Sequence, residues 1–420
     1  MSYDICVLGL GYIGLPTASI FATKGKKVLG VDVVAKVVET INDGRIHIEE
    51  PDLDVLVRAA VQSGNLRAAT APGPAAVYII AVPTPFKATA DNPRAPDLAY
   101  VESATRSLGA VIKPGALVIL ESTSPVGTTE LMRDWLYSEL VRLGRVGPDA
   151  VAAESFPLLF AHCPERILPG QMLKELVSND RIAGGLTPEA SARAKALYAT
   201  FCSADILETD ARTAEMAKLT ENSFRDVNIA FANELSLICE RLGIDVWELI
   251  RLANRHPRVK ILQPGPGVGG HCIAVDPWFI VAAAPKEARL IRVAREVNDS
   301  KPHHVVAKVM THAARLKSPV IACLGLAFKA DVDDLRESPA VEIVVDLAKA
   351  GAGQLLVVEP YAAKLPPALV ALPEVRAASL EEALAKADIV LLLVNHRQFA
   401  AVDRTLLREK VVIDTRGLWR

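Results

Sequence analysis

The first half of the chain alternates short, predominantly apolar runs with longer stretches of helical period. Residues 5–8, 27–31, 77–82 and 117–120 form such runs, each bounded by Gly, Pro or a polar residue. A strand apolar on both faces belongs in a parallel sheet covered by helices on either side. The pattern therefore predicts a doubly wound α/β domain reaching about residue 200. From Ala211 to Leu242 neither Gly nor Pro occurs, Ala, Leu, Glu, Met and Lys dominate, and Gly243 supplies a stop. One helix of roughly 45 Å is expected there, at about 1.5 Å per residue. Such a rod is too long for one small domain, so it is expected to link two lobes and to offer a face for dimerisation. A second helical region lies near 287–315, and apolar runs return at 319–324, 355–358, 389–394 and 411–414. These predict a second α/β domain. The Pro- and Ala-rich stretch 359–378 reads as a surface connection.

The 420 residues are 51% hydrophobic and 23% charged, with a net charge of −2. That is enough apolar material for large cores, and the balance argues against a nucleic-acid-binding face, which needs a basic excess. No apolar run is long enough for a membrane span. The opening Met1-Ser2-Tyr3-Asp4-Ile5 has no basic segment and enters a strand at once, so no signal peptide is expected. The six cysteines are scattered without a Cys-x-x-Cys pair. Neither a disulfide framework nor a metal site is suggested, and a reduced, cytoplasmic compartment fits best.

Gly9-Leu10-Gly11-Tyr12-Ile13-Gly14 follows the first predicted strand and opens a helix. The first glycine permits the turn, the second lets a pyrophosphate approach the backbone, and the third packs helix on strand. Asp32 closes the second strand, 18 residues after Gly14. A carboxylate there accepts hydrogen bonds from an adenosine ribose and repels a 2′-phosphate, which favours NAD over NADP. Val82-Pro83-Thr84-Pro85 and Glu121-Ser122-Thr123 end two further strands, where an open parallel sheet meets its ligand. For Thr84, ordinary capping is an equal reading. No Gly-x-Gly-x-x-Gly follows the first strand of the second domain at Gly325.

The other informative stretch is Gly269-Gly270-His271-Cys272-Ile273-Ala274-Val275-Asp276, preceded by Pro264-Gly265-Pro266-Gly267. No regular element runs through such a segment. A cysteine presented there is placed for access, whereas Cys6, Cys202, Cys239 and Cys323 sit in apolar patterns and read as small buried hydrophobes. His271 either lowers the Cys272 pKa or points outward. A hydride acceptor plus an accessible thiol suggests oxidation through a sulfur adduct: thiohemiacetal, then thioester, then acid. On the long helix Lys218, Asn222 and Arg225 are spaced i, i+4 and i+7 and share a face. Lys218 and Asn222 suit an oxyanion; the alternative is a surface ion-pair face with Glu215 or Glu221.

These segments resemble the UDP-sugar 6-dehydrogenases of the UDP-glucose/GDP-mannose dehydrogenase family, enzymes that oxidise a sugar CH2OH to a carboxylate with two NAD. The resemblance covers essentially the whole chain. It is most specific at Glu121-Ser122-Thr123-Ser124-Pro125-Val126-Gly127, Cys163-Pro164-Glu165-Arg166, 214–222, the Cys272 loop, Phe328-Lys329 and Arg336-Glu337-Ser338-Pro339. It implies an α/β fold of two Rossmann-like doubly wound domains joined by a long central helix, with an NAD-binding part (1–205), a central part (206–315) and a UDP-sugar-binding part (316–420). It implies Cys272 as nucleophile, Lys218 and Asn222 beside the reactive carbon, Glu165 as acid/base, Asp276 ordering water, and Thr123 as a further catalytic residue that also lines the NAD site. NAD would be held by Gly9, Gly11, Tyr12, Ile13, Gly14, Asp32, Thr84, Thr123 and Arg336. The UDP-sugar would be held by Arg166, Ile167, Lys218, Asn222, Arg225, His256, Arg258, Gly269, Lys329 and Arg416, with Lys260 nearby, in a cleft between the lobes. Some relatives carry a second glutamate four positions after the first; this chain has Pro169 there. Ile273-Ala274-Val275 and Asn254–Val259 are most similar to members that oxidise UDP-N-acetyl-D-mannosamine. The rival substrate is UDP-N-acetyl-D-glucosamine, and a rival of another class is a non-catalytic NAD- and UDP-sugar-binding scaffold. A homodimer through the long helix is implied.

Overall fold

The computed structural model describes residues 3–48, 50–87, 94–147, 152–167, 170–270, 272–362 and 364–420. Met1, Ser2, Pro169 and His271 therefore lie outside the described residues. The chain divides into two compact units, Met1–Glu221 with Ala282–Ala284, and Asn222–Val281 with Pro285–Arg420.

In the first unit the strands are β1 (Tyr3–Leu8), β2 (Val28–Val31), β3 (Leu66–Ala69), β4 (Ala75–Ile80), the ribbon β5 (Phe86–Lys87) and β6 (Ala95–Pro96), then β7 (Leu117–Leu120), β8 (Leu159–His162), β9 (Arg181–Gly185) and β10 (Ile206–Asp210). Among the described residues eight of them form one sheet, ordered β10-β9-β8-β7-β4-β1-β2-β3. The four apolar runs seen in the sequence are β1, β2, β4 and β7, the centre of that sheet. Alternate residues of β1 face opposite ways. Ile5 and Val7 pack with Leu15 and Phe21, and Cys6 and Leu8 with Tyr78, Leu120 and Leu136. This burial on two faces explains the continuous apolar runs. β9 breaks the parallel order: it runs against β8, with His162 opposite Gly184, and β10 pairs parallel to β9.

The helix expected over 211–242 is present as Ala211–Leu242. In the second unit, β11 (Val320–Leu324), β12 (Gln354–Val358), β13 (Val375–Ala377), β14 (Ile389–Leu392) and β15 (Val411–Asp414) form a parallel sheet ordered β13-β12-β11-β14-β15. One correction falls on 359–378, which is not merely a surface connection. Pro367 opens a short helix, Pro367–Val370, with Leu369 buried, and β13 adds to the edge beside β12. Three residues are too few for a readable alternation, and the fixed φ of proline suits a first helical turn as well as a loop. Among the described residues, no helix is long and apolar enough to cross a membrane.

Candidate active site

The β1 turn is built from close approaches. Gly9 has φ +90°, and a β-carbon there would lie 2.5 Å from the Ala81 carbonyl oxygen. Gly14 starts the helix Gly14–Thr23, and its β-carbon would lie 1.8 Å from the Gly9 oxygen. Gly11 differs, since a β-carbon there would meet nothing within 4 Å. Two glycines thus let strand, turn and helix meet, while the middle one faces open space at a helix N-terminus, where a pyrophosphate is favoured. Ile13 is the helix N-cap residue with no side-chain cap, and Tyr12 is partly exposed beside it. Asp32 accepts from the Leu10 N–H (3.1 Å) and the Val34 N–H (2.9 Å). Those bonds fix the carboxylate beside the turn and leave acceptor capacity for a ribose. The residues fit a dinucleotide.

Thr84 donates to the Thr123 carbonyl at 2.7 Å, tying the loops after β4 and β7. Beyond β8, Glu165 is nearly buried. Its Oε1 accepts from the Arg166 N–H at 2.7 Å, and its Oε2 accepts from Arg181 Nη2. Arg181 Nη1 lies 3.8 Å from Glu121 Oε1. Glu121 accepts from Tyr198 Oη (3.1 Å) and Thr17 Oγ1 (3.2 Å). Burial, with the Glu165 charge added, pushes the Glu121 carboxyl up to about 8. Arg166 pairs with Glu221 at 2.6 Å and donates to the Asp180 carbonyl at 3.0 Å. Ile167 packs against the core.

Lys218 is half-buried on the long helix. The carboxylates that would make its face a plain ion-pair surface are engaged elsewhere. Glu215 accepts from the N–H groups of Gly127 (2.6 Å) and Thr129 (2.8 Å), and Glu221 holds Arg166. His162, at the end of β8, is fully buried, and neither ring nitrogen has a hydrogen-bond partner. Burial and then the Lys218 charge lower it to about 3, so it is neutral.

In the second unit, Asn222 Nδ2 donates to Asp276 Oδ2 at 2.5 Å. The N–H groups of Asp276 and Val275 both reach the Cys272 carbonyl, at 2.9 and 3.1 Å. A tight turn from Cys272 thus delivers Asp276 to the first position of the helix Asp276–Ala283, where a negative charge suits the helix dipole. Cys272 is exposed, and the other five cysteines are buried. Burial pushes the thiols of Cys6 and Cys323 up to about 12, which makes them inert.

The loop before Cys272 is clamped by backbone contacts. A β-carbon on Gly269 would lie 2.2 Å from the Glu337 oxygen, and one on Gly265 would lie 2.7 Å from Arg416 Nη1. Arg416 also donates through Nε to the Leu393 carbonyl at 3.0 Å. Arg336 is exposed and grips Asp334 with a two-pronged contact at 2.9 and 2.7 Å. Arg225, His256, Arg258, Lys260 and Lys329 are exposed. The turn after β11 repeats that of β1. Gly325 has φ +90°, and its N–H reaches the Val358 oxygen at 2.9 Å, as that of Gly9 reaches Val31 at 2.8 Å. The acid that follows is already spent here. Glu359 accepts from the N–H groups of Leu326 (2.6 Å), Ala327 (3.0 Å) and Tyr361 (3.0 Å) and contacts His396 Nε2 at 3.2 Å. Glu359 thus makes four polar contacts, where Asp32 accepts from two N–H groups.

Sequence reasoning missed two supports, Arg181 and Asn233. Asn233 accepts from the Gly265 N–H at 2.8 Å and donates to Asn298 at 2.8 Å. Asn298 in turn joins the buried Asp226–Arg295 pair. A lone Arg at a strand start reads as solvated, and an Asn in a helix reads as surface. Only three-dimensional packing identifies them.

Comparison with known proteins gives one consistent family. Family models match as UDP-glucose/GDP-mannose dehydrogenase family, NAD binding domain over residues 3–202, central domain over 212–300, and UDP binding domain over 322–420. An NDP-N-acetyl-D-galactosaminuronic acid dehydrogenase of Ralstonia nicotianae is 60% identical, covering 99% of this chain and 96% of its own. A UDP-N-acetyl-D-mannosamine dehydrogenase of Escherichia coli K12 is 56% identical over 99% of both chains. The structure of a UDP-D-ManNAc dehydrogenase from Pyrococcus horikoshii superposes with a TM-score of 0.86 at 39% identity, covering 99% of this chain and 96% of its own.

Proposed function

Because the chain belongs to the UDP-glucose/GDP-mannose dehydrogenase family, with its NAD-binding and UDP-binding domains, we propose that it oxidises C6 of UDP-N-acetyl-D-mannosamine to the uronic acid in two successive oxidations. One observation carries this reading: Cys272 is the exposed thiol, on a turn whose carbonyl anchors Asp276, with Asn222 held to the same aspartate. NAD, used twice, supplies the electron acceptor and is held at Gly9, Gly11, Tyr12, Ile13, Gly14 and Asp32, with Thr84, Thr123 and Arg336 as further contacts. Cys272 adds through sulfur to the aldehyde carbon and gives a thiohemiacetal, which a second oxidation converts to a thioester. Water then attacks the thioester carbonyl, the carbon–sulfur bond breaks, the thiolate leaves, and Glu165 takes the proton of water. Lys218 and Asn222 stabilise the oxyanion, and Asp276 orders the water. Arg166, Ile167, Arg225, His256, Arg258, Gly269, Lys329 and Arg416 hold the nucleotide-sugar. Residues 1–205, 206–315 and 316–420 divide the work between cofactor, reacting centre and UDP-sugar, and the long helix pairs two copies.

The 60% identity to a dehydrogenase named for an N-acetylgalactosaminuronic acid supports a second reading, in which the 2-acetamido sugar has galacto configuration. NADH absorbance with the UDP-linked N-acetyl derivatives of mannosamine, galactosamine and glucosamine, and with UDP-glucose, tests both. We expect the highest kcat/KM with the mannosamine sugar, two NADH per sugar, no free aldehyde, and little use of NADP. Preference for another sugar moves the substrate. One NADH per sugar, or full turnover by Cys272→Ser, sinks the thioester route. No oxidation of any of the sugars sustains the scaffold reading.

A further inference from the structure

The buried arginine of the first unit has no part in the scheme above. β9 runs against β8, so the chain beyond His162 lies opposite the residues that precede Gly184. That reversal carries Arg181, the first residue of β9, to the carboxyl end of β8, where Glu165 stands. A parallel strand would leave its first residue at the opposite edge of the sheet. The Arg181 side chain is 4% exposed and sits between the Glu165 and Glu121 carboxylates. Its guanidinium lies over the Tyr198 ring at 4.6 Å and near the Phe201 ring at 5.2 Å, so it cannot swing away without opening the core. Its Nε and Nη1 make no hydrogen bond. Three buried ionisable groups held this way are a costly means of stabilising a fold.

We infer that Arg181 is a positioning residue for the oxidation–hydrolysis sequence: it fixes the orientation of the Glu165 carboxylate, with one oxygen on Arg181 Nη2 and the other on the Arg166 N–H. The lone pairs left over then define the direction from which water gives up its proton. Glu121 keeps its proton up to about pH 8, which leaves the Arg181 charge to Glu165. A lysine at 181 supplies charge without the planar guanidinium that lies over the Tyr198 ring, so its donor is not held in place against Glu165. This inference rests on the reading of Glu165 as the hydrolytic base.

The test compares wild type, Arg181→Lys, Glu165→Gln and the double variant. It follows NADH from the first turnover into steady state, with saturating NAD and the UDP-sugar that the wild type oxidises best. Glu165→Gln is expected to release a burst of two NADH per site and then turn over about a hundredfold more slowly. Arg181→Lys is expected to keep the burst amplitude, to slow the steady rate about tenfold or more, and to leave both KM values within about threefold. The double variant should be no slower than Glu165→Gln alone. Burst amplitude counts folded, competent sites, so a merely structural role would lower burst and steady rate together, and that outcome overturns the inference. A full additional loss in the double variant overturns it as well. If Glu165→Gln bursts and stalls while Arg181→Lys matches wild type, Arg181 fails alone. If Glu165→Gln keeps the wild-type steady rate, the base assignment fails and the Arg181 role falls with it.

Discussion

Glu121 is a residue whose ionisation the fold resists. It faces Glu165 and Arg181, the Tyr198 and Thr17 hydroxyls, and the buried Cys163 thiol. Its carboxyl is raised from 4.5 to about 8, first by burial and then by the Glu165 charge. The sign follows from proton counts. Between those pH values the unfolded chain has lost the proton and the folded protein keeps it, so this group makes the fold less stable as pH rises through the window. Each pH unit is worth at most about 1.4 kcal/mol. His162 acts oppositely below 6.5, because it stays neutral when buried, and Lys301, lowered from 10.5 to about 8 by burial, acts oppositely above 8. Both effects are shared by wild type and variant and drop out of a difference. Glu121→Gln should therefore gain melting temperature relative to wild type steadily from pH 5 to pH 8. A difference that is flat with pH would mean that Glu121 is ionised in the folded protein.

At the scale of elements, the β1 turn separates packing from ligand contact. Gly14→Ala would force a β-carbon to 1.8 Å from the Gly9 oxygen, a backbone atom that cannot yield cheaply. A loss of about 2–4 kcal/mol is expected, read as a lower melting temperature without any ligand. Gly11→Ala meets nothing within 4 Å. It should leave that melting temperature unchanged and weaken NAD binding about tenfold or more by titration. Destabilisation by Gly11→Ala, or its undiminished NAD binding, would show that the open face is not the pyrophosphate cradle. This turn was legible in the sequence because three glycines at fixed spacing have few other reasons to follow an apolar strand. The central strands were legible because burial on two faces leaves unbroken apolar runs. The Cys272 loop was legible because its glycines and prolines forbid a regular element. The reversal of β9 was not, since strand direction is set by tertiary pairing and leaves no periodic mark. Arg181 and its approach to Glu121 were hidden with it, and β13 was hidden by its length.

Assembly is where the whole molecule adds something its parts lack. Phe224, Phe231 and Ile238 recur at intervals of seven along the helix Ala211–Leu242 and stay 66%, 50% and 46% exposed, with Leu242 at 64%. A spacing of seven is close to two helical turns, so these side chains form one stripe. Solvent-facing apolar residues in a row, flanked by polar ones, mark an interaction face. The pairing proposed here is two-fold, so every contact occurs twice. Placing a carboxylate at Phe231 removes about 2–3 kcal/mol of apolar burial per copy, or about 4–6 kcal/mol per dimer. That corresponds to about three to four decades in dissociation constant. Wild type is expected to sediment as a dimer of about 90 kDa, twice the 45.0 kDa chain. Phe231→Asp should sediment as a monomer at micromolar concentration while keeping the NAD affinity of the first unit, where the dinucleotide turn lies. A wild-type monomer, or a dimer indifferent to Phe231→Asp, would place the pairing face elsewhere on the molecule.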